Sequence, residues 1–159
     1  MIIVSDSSPL ISLAILNKLN ILEQIFDEIY IPTAVYNEIS KKNKPHSKEL
    51  QDFTINRVKQ IQNRLALQLL QKDLDIGESE AIVLAIENNI SDILIDEYKG
   101  RKIATAQGLS PIGTIGVLLQ AKNEGLVKEV KPELDKLIAN HQRISQPLYD
   151  KALELAGEK

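Results

Sequence analysis

Apolar residues open the chain without a polar interruption. Ile2, Ile3 and Val4 form a short β-branched run, and a run lacking alternation suits a strand buried on both faces. The pattern breaks at Asp6. Ser7, Ser8 and Pro9 follow as a helix start, with Ser8 as N-cap and Pro9 at the first helical position. The helix continues over residues 10–15, and residues 19–26 make a second short one. Residues 28–31 read as another strand. Pro32 opens a helix to about residue 40, with Ala34, Val35 and Ile39 inward and Glu38 on it. Residues 41–48, K-K-N-K-P-H-S-K, are a polar loop too short to link two domains.

Residues 55–58 fit a small strand, and the leucine spacing over 63–71 fits an amphipathic helix. Asp75, Ile76 and Gly77 form a turn before a helix over 78–87. The run D-I-L-I at 92–95 is a second buried strand, ending in Asp96 and Glu97. A helix over 100–107, a minimal strand at Pro111 and Ile112, and an apolar helix over 114–124 follow. Terminal helices cover 133–140 and 147–156. Strands alternate with helices throughout, which predicts an α/β fold with a parallel sheet flanked by helices. Residues 1–159 are expected to form one domain. The leucines at 10, 13, 16 and 19 and the helix over 114–122 suit either core or a subunit contact.

Composition narrows the chemistry. There is no cysteine among the 159 residues. That rules out disulfides and thiolate metal sites and fits a cytoplasmic setting. His46 and His141, the only histidines, are too few and too far apart for a zinc motif. No apolar run is long enough to span a bilayer, and the N-terminus lacks the basic lead of a signal peptide. The net charge of -3 argues against non-specific coating of nucleic acid, though not against a local basic groove.

Acids then stand out by position. Asp6 and Asp96 each end a buried strand, and parallel strands point their C-terminal ends the same way, to the edge where α/β sheets bind ligands. Glu97 adjoins Asp96, Glu38 lies late in its helix, and Glu78 and Glu80 stand in G-E-S-E-A. Two like charges about 4 Å apart repel by about 4 kcal/mol at an effective dielectric near 20. A divalent cation relieves this, and an all-oxygen set selects Mg2+ or Mn2+. Helix dipoles account for Glu78 and in part for Asp96 or Glu97; they disfavour an acid at Glu38. Residues two apart on a helix point about 200° away from each other, so Glu80 is taken as the ligand and Glu78 as its support or substitute. The expectation is that Asp6, Glu80 and Asp96 converge. Carboxylate-bound magnesium serves phosphate chemistry, and Arg101 and Lys102 stand where they could meet phosphates or serve as plain surface charges. The lysines at 41, 42, 44 and 48 read as a solvated loop. Gly108, Gly113 and Gly116 lack the spacing of a nucleotide loop. A phosphoaspartate centre at Asp6 would need an acid at position 8, where Ser8 stands.

Taken together, the strand ending in Asp6-Ser7-Ser8, the acids in I-P-T-A-V-Y-N-E-I, G-E-S-E-A-I-V-L-A and I-L-I-D-E, and the segments at 100–104, 111–122 and 143–149 resemble the PIN-domain family. The resemblance covers nearly the whole chain. It implies a three-layer α/β/α sandwich and a metal-dependent ribonuclease site in which Asp6, Glu38, Glu80 and Asp96 hold the acidic positions. Ser8 would be the hydroxyl that orients them. The family often has Asp where Glu80 and Glu97 stand. Its small toxin members act on RNA, pair with an antitoxin protein and form homodimers; the alternative is a degenerate module that binds RNA or a protein without cutting.

Overall fold

The opening run forms β1 (Ile2–Ser5), and the computed structural model, which describes residues 1–159, places it at the centre of a five-stranded sheet. The other strands are β2 (Glu28–Pro32), β3 (Val58–Lys59), β4 (Asp92–Leu94) and β5 (Ser110–Ile112). Their order is β3-β2-β1-β4-β5, and every pairing is parallel.

Successive strand residues face opposite sides, and both sides are buried here. Ile3, Ile29, Ile31 and Leu94 enter one apolar core; Val4, Ile93 and Ile95 enter the other. That is why these strands read as unbroken apolar runs. The first core is closed by α1 (Ser7–Ile15), α2 (Asn20–Ile25), α3 (Thr33–Ile39), α4 (Ser47–Thr54), α8 (Thr114–Asn123), α9 (Lys131–Ala139) and α10 (Gln146–Ala156). The second is closed by α5 (Arg64–Leu70), α6 (Ile76–Glu87) and α7 (Tyr98–Ala106). The architecture is a three-layer α/β/α sandwich. No helix is long and apolar enough to cross a membrane.

Local details depart from the sequence reading. Asp6, not Ser8, holds the N-cap position of α1, and Pro9 falls in the first turn rather than at its first residue. Residues 55–57 are a 3₁₀ turn, leaving only two residues to β3. The turn expected at residues 75–77 is instead the start of α6, capped by Asp75. Leu10, Leu13, Leu16, Leu19, Val117 and Leu118 are all buried within this chain's own core, which settles them as core rather than subunit contact.

Strand order reverses between β1 and β4. At such a switch point the connections leave in opposite directions and open a crevice at the carboxyl edge of the sheet. Asp6 follows β1 and Asp96 follows β4, so they flank that crevice.

Candidate functional site

A cleft of about 880 Å³ opens at this edge. Six carboxylates line it: Asp6, Glu38, Asp75, Glu78, Asp96 and Glu97. None of the six is paired with a lysine, arginine or histidine within 4 Å.

Asp6 is the most constrained. It holds the N-cap position of α1 and is only 7% exposed, yet its side chain makes no capping hydrogen bond to that helix. Capping therefore does not explain why an acid stands there. Its carboxyl is raised to about 8, chiefly by burial and then by the charges of Glu78, Asp75 and Glu38, against the downward pull of the Ser7 backbone N–H.

Glu78 lies at the third position of α6 in a capping box. Its backbone N–H donates to Asp75 Oδ1 at 2.8 Å, and its Oε1 accepts from the Asp75 N–H at 3.3 Å. It is only 5% exposed. Burial first, then the charge of Asp75, raises its carboxyl to about 7. The sequence rule that D-x-x-E begins a helix thus holds, and the same acid also faces the cleft.

Asp96 is oriented by three donors. The Thr114 backbone N–H reaches Oδ1 at 2.7 Å, the Thr114 hydroxyl reaches Oδ2 at 2.8 Å, and the Ser8 hydroxyl reaches Oδ2 at 3.2 Å. Ser8 therefore stands beside an acid, as expected, but Thr114 is the stronger partner. Glu38 is held by the Ser7 hydroxyl at 2.6 Å. Two glycines allow the close packing. A Cβ on Gly113 would stand 3.1 Å from Asp96 Oδ1, and one on Gly100 would stand 2.9 Å from Glu78 Oε2 and 2.6 Å from Ile95 Cδ1.

Glu80 requires a correction. It is 5% exposed but does not line the cleft. Its Oε1 accepts from the Ala34 backbone N–H at 2.9 Å, and its Oε2 lies 3.9 Å from Arg64 Nη1. Pro32 offers α3 no side-chain cap, so Glu80 performs that task from a neighbouring helix. The two residues do diverge around α6 as helix geometry requires; it is Glu78, not Glu80, that turns to the acids. Asp6, Glu78 and Asp96 share the cleft, while the expected trio with Glu80 does not form.

Arg101 and Lys102 also fall outside the cleft lining. Arg101 Nη1 is committed to the Ile95 carbonyl at 3.0 Å, and Lys102 lies exposed on α7. Of the two roles left open for them, this placement lends no support to phosphate contact. Sequence reasoning missed Ser7, Asp75 and Thr114. Of these only Asp75 carried a signal, the capping-box spacing to Glu78.

The donor chemistry fits a hard divalent cation: all oxygen, mostly carboxylate, with no lysine, arginine or histidine within 4 Å of any of the six acids. The side chains are arrayed along the cleft rather than closed, since no three acids already converge on one ion-sized point. Asp6, Glu78, Asp96 and Glu38 are the residues that could hold such an ion, with Glu97 exposed at the mouth.

No curated protein and no solved structure matches the chain. The family profile of the PIN domain matches residues 2–158. PIN domains are in general nucleases that bind divalent metal ions and act on nucleic acid. With a match of that extent over an all-parallel α/β/α sandwich, the chain belongs to the PIN-domain family.

Proposed function

We propose that this protein is a metal-dependent endoribonuclease hydrolysing RNA phosphodiester bonds. One observation carries the proposal: six carboxylates without a cationic partner share the cleft at the switch point, and one of them, Asp6, is buried with a carboxyl raised to about 8. A structural role would have supplied such a group with a capping bond or a counter-charge. Protonation offsets the repulsion below about pH 8, and a divalent ion offsets it with the acids ionised.

Asp6, Glu78 and Asp96 would hold Mg2+ or Mn2+, with Glu38 and Glu97 completing the set. When bound, the ion supplies an activated water and stabilises negative charge on the phosphate oxygens. The chain's own groups do the positioning. Thr114 and Ser8 fix the Asp96 carboxylate, and Ser7 fixes Glu38. Glu80 anchors α3, which carries Glu38, to α6, which carries Glu78. No nucleophile–histidine pair is present in the cleft's acidic region, and a directly attacking water suits this set better than a covalent intermediate.

Family membership supports the finer reading that the protein is a cytoplasmic toxin, restrained by an antitoxin protein and acting as a homodimer. Exposed leucines at 65 and 69 on α5 and at 148 and 155 on α10 offer faces for such contacts. The spread of the acids supports a second reading, a degenerate module that binds RNA without cutting. Incubation of RNA with wild type and Asp96→Asn, with Mg2+, Mn2+ or EDTA, separates the two. The nuclease reading expects metal-dependent cleavage by wild type that the variant loses. Cleavage by neither protein under any metal would support the degenerate module.

A further inference from the structure

The cleft extends well past the acids. Ser8, Ile11, Ser12 and Ile15 recur along one wall at helical spacing, so the cleft follows α1 for about 10 Å at 1.5 Å per residue. Two loops remote in the chain line it as well. One precedes α4 and brings Lys44 and His46; the other joins α9 to α10 and brings His141 and Arg143. The only two histidines in the protein thus meet at one cleft.

Both histidines sit on left-handed backbone, with φ of 62° at His46 and 68° at His141. His141 follows the last turn of α9 in a Schellman closure: its N–H donates to the Ile138 carbonyl, and the Gln142 N–H donates to the Leu137 carbonyl at 3.0 Å. Glycine or asparagine serves that geometry best. Indeed the other five left-handed positions hold Asn17, Asn89, Gly108, Gly125 and Gly157. Histidine stands at the two of these positions that line the cleft, and His46 Nδ1 also lies 3.5 Å from Glu49 Oε2; backbone preference alone does not explain the choice. Arg143 is exposed beside His141 and makes no ion pair. No phenylalanine, tyrosine or tryptophan lines the cleft, which leaves these imidazoles and the guanidinium as its flat faces.

The geometry points to a second subsite, in which His46, His141 and Arg143 hold the nucleotide adjoining the scissile phosphate. Its assignment to RNA rests on the nuclease reading above. Arg143 meets the phosphate, whose charge the carboxylates repel and the guanidinium attracts. The imidazole and guanidinium planes stack on an unpaired base, with Ile11 and Ile15 as the apolar wall. The preferred ligand is therefore single-stranded, because a paired base keeps its faces covered. These are positioning residues and leave the chemistry to the acids.

The test is the binding of a fluorescein-labelled ten-nucleotide oligouridylate, followed by anisotropy in EDTA across a salt series. Arg143→Gln is expected to weaken binding several-fold at low salt and to flatten the slope of log affinity against log salt by about 0.7. The double variant His46→Asn/His141→Asn, whose asparagines suit the left-handed backbone, is expected to lose at least fivefold, the low end for one stacked base. Lys128→Gln, on an exposed loop away from the cleft, is expected to bind as wild type. Unchanged melting temperatures exclude misfolding as the cause. No binding by wild type, wild-type binding by both cleft variants, or an equal loss in Lys128→Gln would each overturn the subsite. A parallel cleavage assay in Mg2+ keeps the two proposals apart. Cleavage with insensitive binding removes the subsite alone, whereas sensitive binding without cleavage removes the nuclease reading alone.

Discussion

Asp6→Asn should stabilise the metal-free protein at neutral to alkaline pH. In the folded state the Asp6 carboxyl is raised from 3.8 to about 8, chiefly by burial. A raised folded value means that the native state binds the proton more tightly than the unfolded chain does. Its stabilising contribution is complete below about pH 4 and is lost as the pH climbs toward 8. At about 1.4 kcal/mol per tenfold step in protonation, ionised Asp6 costs on the order of 5 kcal/mol by pH 8. Structural relaxation and water entry reduce such figures, though several kcal/mol survive for a buried ion. Asparagine keeps the shape and never ionises. A gain of at least about 2 kcal/mol is expected at pH 8 in EDTA, or roughly 4–8 °C in Tm for a chain of this size. Near pH 4 the advantage should vanish. Thermal melts of both proteins in EDTA from pH 4 to 8.5 measure it, and the difference between them cancels groups that titrate in both. A variant less stable than wild type by the same margin at every pH would refute the reasoning.

The acid assignment makes four further predictions. Millimolar Mn2+ should raise the Tm of wild type and of Glu80→Gln at pH 8, by roughly 5–10 °C when the ion is 100-fold above its Kd; Glu78→Gln should lose most of that rise. Equal responses in the two variants would count against the ligand set. Glu80→Ala should instead cost about 1–3 kcal/mol in chemical denaturation, because it leaves the Ala34 N–H unpaired. Thr114→Val should cost about 1 kcal/mol of stability and weaken Mn2+ binding, since Asp96 Oδ2 then keeps only the longer Ser8 bond. Gly100→Ala should destabilise by about 1–3 kcal/mol in urea melts, as its methyl would press on Ile95 Cδ1 at 2.6 Å and displace Glu78 Oε2.

The layers were legible in the sequence because both faces of the sheet are buried. Runs such as Ile2–Val4 lack the alternation of a half-exposed strand, and parallel pairing follows from that together with the intervening helices. Asp6 and Asp96 were legible because strand direction alone fixes which edge they reach. The choice between Glu78 and Glu80 was not. Helix periodicity says that the two diverge by about 200°, but not which one faces the cleft; that depends on how α6 rolls against α3, a packing fact. Thr114 escaped notice because its link to Asp96 spans 18 residues and leaves no local pattern. The histidines escaped for the same reason: His46 and His141 lie 95 positions apart, and only the closure of α9 and the turn before α4 bring both to one cleft.

The claim beneath all of this is that the acids at the end of β1 and β4 hold a divalent cation. Mn2+ soaked into crystals of the protein at pH 8 and located by its anomalous scattering tests that claim most directly. A single strong peak about 2.1 Å from carboxylate oxygens of Asp6 and of Asp96 or Glu78 is the predicted result. A cleft without manganese at millimolar concentration, or manganese bound only at unrelated surface acids, would contradict it.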